Sequence, residues 1–278
     1  MTSAEPLSNM DCTTAALSAA AGQIDTLGER GAADVLQRAG DALEKLGSFD
    51  AIGVSTRGQI TREGVVYFDT EDIRSWSKTP VTELLQARFS IPVATENDVN
   101  CMALGEGSRG AASGMRDYLC IAFGTGVGGA LVQNGRLYRG ARGFAGEVGL
   151  MFFRDAVWET YASASALLAA AQKQDPDITD GHALCACLAS DASRAALSGW
   201  LPAAAQGLGG LIHAFDPECV ILGGGLMRCA ELVRMVAEET RRLLAPGFET
   251  TCILPAALGS DAMLLGAAVV ARQRLSRR

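Results

Sequence analysis

The feature that most constrains the fold is an alternation. Short apolar runs that stop at glycine-containing polar loops recur along the chain, and segments with apolar side chains at helical spacing separate them. The stretch GAADVLQRAGDALEKL has helical periodicity over 30–46 and leads into FDAIGVSTRGQI, a strand-like run closed by a loop. A second helix is predicted over 79–89, with Pro80 in its first turn. IPVATENDVNCMALGEG then reads as strand, polar elbow and a helix starting near Val99. In DYLCIAFGTGVGGALVQNGRLYRG, strands over 118–123 and 130–132 flank a glycine loop, and Asn134-Gly135 marks a hairpin turn. LSGWLPAAAQGLGGLIHAF is apolar almost all round, the pattern of a buried helix. The strand CVILGGG, a helix running to about Leu244 and a terminal helix DAMLLGAAVVARQRL complete the series. Such alternation predicts βαβ units on parallel or mixed sheets, an α/β protein. The low aromatic content (6%) and 32 glycines argue against an all-β sandwich. The polar stretch 108–116 is the predicted boundary between two lobes, and 173–181 reads as a surface loop.

A formal net charge of −7 gives no general attraction to polyanions, so nucleic-acid binding by this chain alone is not expected. No apolar run has the length to span a bilayer, and MTSAEPLSNM lacks the charged and apolar regions of a signal peptide. The expectation is a cytoplasmic protein without a membrane partner. Its eight cysteines, Cys12, Cys101, Cys120, Cys185, Cys187, Cys219, Cys229 and Cys252, are scattered through mostly apolar segments and read as buried thiols.

Four segments carry candidate chemistry. In FGTGVGG, Gly124, Gly126, Gly128 and Gly129 leave backbone N–H groups open to a phosphate, and Thr125 adds a hydroxyl; a ligand-free glycine hairpin has the same pattern. No Gly-Lys-Ser/Thr follows, so this is not a P-loop, and the next segment is a strand, which disfavours a dinucleotide fingerprint. In Glu96-Asn97-Asp98, a carboxylate at a strand end can accept a substrate hydroxyl's proton, with an amide beside it to bind neighbouring hydroxyls; helix capping is the competing use. Glu147, set among small residues in RGFAGEVG, can reach vicinal hydroxyls of a polyol or stand as an ordinary loop glutamate. ILGGG lets a nucleotide approach the backbone or merely makes a tight turn.

From about Gly53 to Ala268 these segments, in this order, resemble the ROK (repressor, open reading frame, kinase) family. The resemblance is carried by IGVSTRGQI, PVATENDVNCMALGE, FGTGVGGALVQNGRLYRGARGFAGEVG, WETYAS, HAFDPECVILGGG and LGSDAMLLGAA. It implies the two-lobed actin-like, ribonuclease-H-like ATPase fold: a small lobe over 1–113, a large lobe over 114–265, and a terminal helix over 266–278 packing back on the small lobe. It implies Asp98 as the base that deprotonates a hexose hydroxyl, usually the 6-OH. Gly58, Asn97, Glu147 and Glu159 are then implied as sugar ligands, with Gly124, Thr125, Gly126, Gly223, Gly224 and Gly225 on the nucleotide. ATP with Mg2+ and a homodimer or homotetramer follow from the same resemblance. STRGQ and WETYAS are similar to the branch holding β-glucoside kinases and N-acylmannosamine kinases.

Two departures stand out. Leu150 takes the place of the family's zinc histidine, and MFFRDAVW supplies no cysteine, so no structural zinc is expected; His182, Cys185 and Cys187 form a cluster without a fourth ligand. The family's opening Asp-x-Gly-Gly-Thr loop, which cradles ATP phosphates, aligns here with Leu7, Asn9, Met10 and Asp11. An aspartate there repels phosphate. The start is therefore either degenerate or preceded by more chain. The leading expectation is an ATP-dependent hexose, hexosamine or glycoside kinase, and the alternative a sugar-binding protein that has lost turnover.

Overall fold

The computed structural model describes residues 22–69 and 72–276. The aligned positions Leu7, Asn9, Met10 and Asp11 lie outside them. In chain order the elements are α1 (Ala32–Glu44), β1 (Ile52–Thr56), β2 (Gln59–Ile60), β3 (Val66–Phe68), α2 (Val81–Phe89), β4 (Val93–Asn97) and α3 (Asp98–Arg109). There follow β5 (Tyr118–Phe123), β6 (Val127–Gln133), β7 (Arg136–Leu137), β8 (Phe152–Phe153), β9 (Ala156–Val157), α4 (Glu159–Ala162), α5 (Ala164–Gln172) and α6 (Gly181–Ala186). The last are α7 (Asp191–Phe215), β10 (Cys219–Gly223), α8 (Ala230–Leu243), β11 (Cys252–Pro255) and α9 (Asp261–Leu275).

The larger sheet runs in the order β11-β10-β5-β6-β7. Its first three strands are parallel; β6 and β7 return antiparallel. β5 and β10 are continuous apolar runs because helices cover both faces, and their residues are almost all buried. Asn134 and Gly135 both adopt positive φ, 54° and 72°, the two-residue turn that Asn-Gly favours between β6 and β7. One boundary departs from the sequence reading: β6 begins at Val127, not Ala130, and Gly128 and Gly129 are paired in the strand opposite Ala122 and Ile121. Their hydrogens make room for neighbours. A Cβ on Gly128 would lie 2.6 Å from the Val99 side chain, and one on Gly129 would lie 2.7 Å from that of Val148. The open glycine loop is thus only 124–126. Behind it, Phe123 packs edge-on against Trp158 and Trp200, with ring centroids 6.0 and 5.8 Å away. This fixes the base of the loop in the main core.

The smaller sheet among the described residues pairs β1 with β4 in parallel, Thr56 opposite Asn97. The β2–β3 hairpin and α2 connect the two strands, and Ile52, Val66, Trp76, Leu85 and Val93 form their core. Helix α9 packs against α3, β1 and β4. The α3–α9 crossing is close enough to require glycine on both sides: a Cβ on Gly105 would lie 2.0 Å from the Ala262 carbonyl, and one on Gly266 1.8 Å from that of Cys101. The ends of β1 and β4 on one side and of β5 on the other lead into Arg57, Asn97 and Gly124, which line one cleft.

Candidate active site

β4 runs into α3 without a loop, and the junction decides what its three polar residues do. Asn97 keeps extended backbone angles and caps the helix: its side-chain oxygen accepts from the N–H groups of Val99 (2.9 Å) and Asn100 (3.1 Å). Capping, the competing use of Glu96-Asn97-Asp98, therefore falls on Asn97. Its Nδ2 donates to the Gly58 carbonyl at 3.1 Å, leaving one N–H for a ligand. Gly58 itself has φ 96°, and a Cβ there would lie 2.7 Å from the Phe68 carbonyl, so the turn needs glycine.

Asp98 is half-buried in the first turn of α3, and its Oδ1 accepts from the Val99 N–H at 2.9 Å. Burial raises its carboxyl above the ordinary aspartate range; hydrogen bonding to Val99 and the Arg57 guanidinium oppose the rise. A raised carboxyl is a stronger proton acceptor than a free aspartate once ionised. Glu147 stands on the facing wall. Its carboxyl is also raised, first by the protein packed around it and then by the negative charges of Glu159 and Asp98. Glu159, first residue of α4, accepts from the Val127 N–H through Oε2 at 3.1 Å. A Cβ on Gly126 would lie 2.3 Å from that same oxygen, so the glycine loop and Glu159 fit closely.

Gly58, Asn97, Asp98, Gly124, Thr125, Gly126, Glu147 and Glu159 all line one cleft of about 350 Å³. Gly223, Gly224 and Gly225 do not. They end β10 beside the base of the loop: Gly223 pairs with Ala122, and a Cβ on Gly224 (φ 97°) would lie 2.1 Å from the Phe123 carbonyl. A Cβ added to Gly124 or Gly225 would meet nothing within 4 Å, so both backbones face open space. The N–H groups of Thr125 and Gly126 and the Thr125 hydroxyl make no hydrogen bond among the described residues, whereas the Gly124 N–H donates to Gly126.

Sequence reasoning passed over the residues behind this wall. Glu96 is 4% exposed. Its Oε1 accepts from the Asn97 N–H (3.0 Å) and Asn100 Nδ2 (2.9 Å), and its Oε2 accepts from Arg139 Nε (2.6 Å). The available signal was a carboxylate directly after the strand-like run IPVAT, where burial would demand a partner.

Leu150 lines the cleft where a zinc histidine was sought. The Cys187 thiol donates to the Ala183 carbonyl at 3.0 Å, while burial and the neighbouring Cys229 push the Cys185 thiol up to about 12. Among the described residues no group of three or more His, Cys, Asp and Glu side chains is placed to hold a metal. No described helix is long and apolar enough to cross a membrane.

The ROK family model matches residues 33–274. A glucokinase of Streptomyces coelicolor is 31% identical over 80% of this chain and 80% of its own. A β-glucoside kinase of Listeria monocytogenes is 32% identical over 76% and 72%, and a xylose repressor of Bacillus subtilis 27% over 77% and 59%. Among solved structures, the ROK hexokinase of Thermus thermophilus superposes with a TM-score of 0.80 at 30% identity, over 92% of this chain and 91% of that one. The ROK glucokinase of Streptomyces griseus in complex with glucose and AMPPNP gives 0.77 at 27%, over 87% and 89%. The fold is accordingly the two-lobed actin-like ATPase fold, as the resemblance implied. A family model spanning nearly the whole described chain and a site built on the same motifs agree: this chain belongs to the ROK family.

Proposed function

We propose that the chain is an ATP-dependent kinase of a hexose, hexosamine or glycoside hydroxyl, with Asp98 as its base. One observation carries the reading: Asp98, relieved of capping by Asn97, shares a cleft with Glu147, Glu159 and an open glycine loop. The residues suit a nucleotide. Gly124 and Gly225 offer bare backbone at neighbouring strand ends, and Thr125 and Gly126 have uncommitted donors. Asn97, Gly58, Glu147 and Glu159 bind and orient the sugar. The Asp98 carboxylate takes the proton of one hydroxyl, whose oxygen attacks the γ-phosphorus as the bond from that phosphorus to the bridging oxygen breaks and ADP leaves. Bound together with ATP, Mg2+ would neutralise phosphate charge, and the uncommitted Thr125 hydroxyl at the open glycine loop is the oxygen of this chain that would meet it. The small lobe is taken as 1–113 and the large as 114–265, with the terminal helix returning to the small lobe.

The test is ATP consumption against glucose, N-acylated hexosamines and β-glucosides, in a homogeneous preparation of defined oligomeric state. Turnover of one class is expected, and its loss in Asp98→Asn. Turnover that survives this change removes Asp98 from the role of base.

A second reading, a sugar-binding protein without turnover, is favoured by two observations. Leu7, Asn9, Met10 and Asp11 stand in the sequence where the family's opening phosphate loop aligns, and a repressor is among the relatives. Calorimetry showing hexose binding with no nucleotide binding would select it.

A further inference from the structure

Glu96 and Arg139 stand outside the roles assigned above, yet they join the two walls of the cleft. Glu96 is the penultimate residue of β4 in the small sheet; Arg139 lies in the segment after β7 of the large one. Their carboxylate and guanidinium meet at 2.6 Å, with Glu96 almost wholly shielded from solvent and Arg139 partly so. The second carboxylate oxygen binds both sides of the proposed base: the backbone N–H of Asn97, immediately before Asp98, and the side chain of Asn100, two residues after it. This forces the Asn100 amide to present nitrogen to Glu96, even though its buried Oδ1 is left without a partner. Such a cost is tolerated where surrounding contacts dictate the orientation. On the other side, the Arg139 carbonyl accepts from the Ala145 N–H at 3.2 Å, closing the loop that ends two residues before Glu147.

We infer that the Glu96–Arg139 pair is a positioning device that holds the Asp98 turn and the Glu147 loop in register across the cleft. The inference rests on the kinase reading for what Asp98 does, but not for the contact. Arg139 acts in two ways. It fixes the carboxylate that orients the first turn of α3, and it neutralises a charge that would otherwise lie buried two residues from the base. The charged and titratable groups around Asp98 are Arg57 after β1 with its partner Asp69, the Cys101 thiol on α3, Glu147 and Glu159 from the opposite wall, and Glu96 with its Arg139 partner. Only the last two are altered below.

The experiment compares wild type with Arg139→Met, Arg139→Lys and the double variant Glu96→Gln/Arg139→Met, at a temperature well below each melting transition and normalised to folded protein. Arg139→Met should raise the sugar KM and lower kcat, together about 100-fold in kcat/KM, while the ATP KM moves less than about two-fold, since the glycine loop is untouched. The acid limb of its kcat/KM profile should move to higher pH, because an unpaired Glu96 carboxylate disfavours ionisation of Asp98. Arg139→Lys should recover part of the loss. The double variant, which removes the charge, should return the acid limb towards wild type without restoring the rate. Unchanged sugar KM and an unmoved acid limb in Arg139→Met, with activity falling only as the folded fraction falls, would reduce the pair to a structural contact and overturn the inference. If wild type turns over no sugar, the kinase reading fails separately. The pair is then judged by calorimetry with the sugars of the panel, a loss of at least about ten-fold in affinity in Arg139→Met supporting it and equal affinity overturning it.

Discussion

The two walls of the cleft are built to different standards. The wall carrying Gly124–Gly126 stands on a five-stranded sheet whose central strands are paired on both sides, and Phe123 anchors it among Trp158 and Trp200. The wall carrying Asp98 stands on the parallel pair β1 and β4, over a core of Ile52, Val66, Trp76, Leu85 and Val93. Precision on the first wall comes from packing, which is dense and hard to displace. On the second it comes from polar ties: Asn97 to its helix and to Gly58, and Glu96 to Asn97, Asn100 and Arg139. A cleft of this kind should be sensitive to changes of polar groups on the small side and to changes of volume on the large side.

The sharpest division of labour concerns chemistry. If the small wall supplies the base and the large wall most of the binding, Asp98→Asn should lower kcat by about 10² to 10⁴-fold, the range that a positioned base contributes. Sugar affinity measured by calorimetry should change only a few-fold, because Asn keeps the shape and the Val99 contact. A parallel collapse of affinity would show that the two walls do not divide the work in this way. On the large wall the corresponding probe is steric. Gly126→Ala places a methyl where Glu159 Oε2 now sits, 2.3 Å from the new carbon, so the carboxylate must move and its bond to the Val127 N–H must lengthen. Steady-state kinetics should show the KM values for sugar and ATP rising together, by about ten-fold each, since Glu159 and the loop move as one. A rise in only one of them would show that loop and carboxylate are independent.

A smaller effect separates the two kinds of support directly. Asn97→Ala removes the cap of α3 and the Gly58 tie but leaves no cavity in the core; it should cost about 0.5–2 kcal/mol in chemical denaturation. Loss of turnover beyond the folded fraction, at that modest cost, would mark Asn97 as functional through its Gly58 tie, its sugar contact or both. Unimpaired turnover would mean that the small wall is held by packing after all.

How much of this was legible beforehand follows the same division. The strands of the large sheet and α9 were readable because continuous apolar runs and helical spacing are local signals; DAMLLGAAVVARQRL is α9 from end to end. The glycine loop was located but drawn too long: Gly128 and Gly129 line the cleft but are paired in β6, where their missing side chains make room for Val99 and Val148, a cause set by residues distant in sequence. Asp98, Asn97, Gly58, Glu147 and Glu159 were found through motif order and do line one cleft, while Gly223–Gly225 lie outside its lining, at and just after the end of β10. Arg139 and Asn100 were missed because nothing near them in sequence distinguishes a tying arginine or amide from a solvated one. Their partner Glu96, 43 residues from Arg139, appears only when the walls are brought together.

The smallest expected effect concerns the cost of keeping a base half-buried. Burial raises the Asp98 carboxyl in the folded protein above its unfolded value, so the folded state holds that proton more readily than the unfolded chain. The stabilising contribution is therefore complete at pH below the unfolded carboxyl value and is lost as pH rises through the folded one. Asn in its place carries no such penalty. Asp98→Asn should accordingly melt slightly above wild type at neutral pH, and the difference should shrink to nothing as the pH falls below the carboxylate range. Melting curves taken across that range would show it. A variant that melts below wild type at neutral pH would mean that Arg57 more than repays the burial of the charge, and that the small wall gains stability from its base instead of surrendering some to hold it.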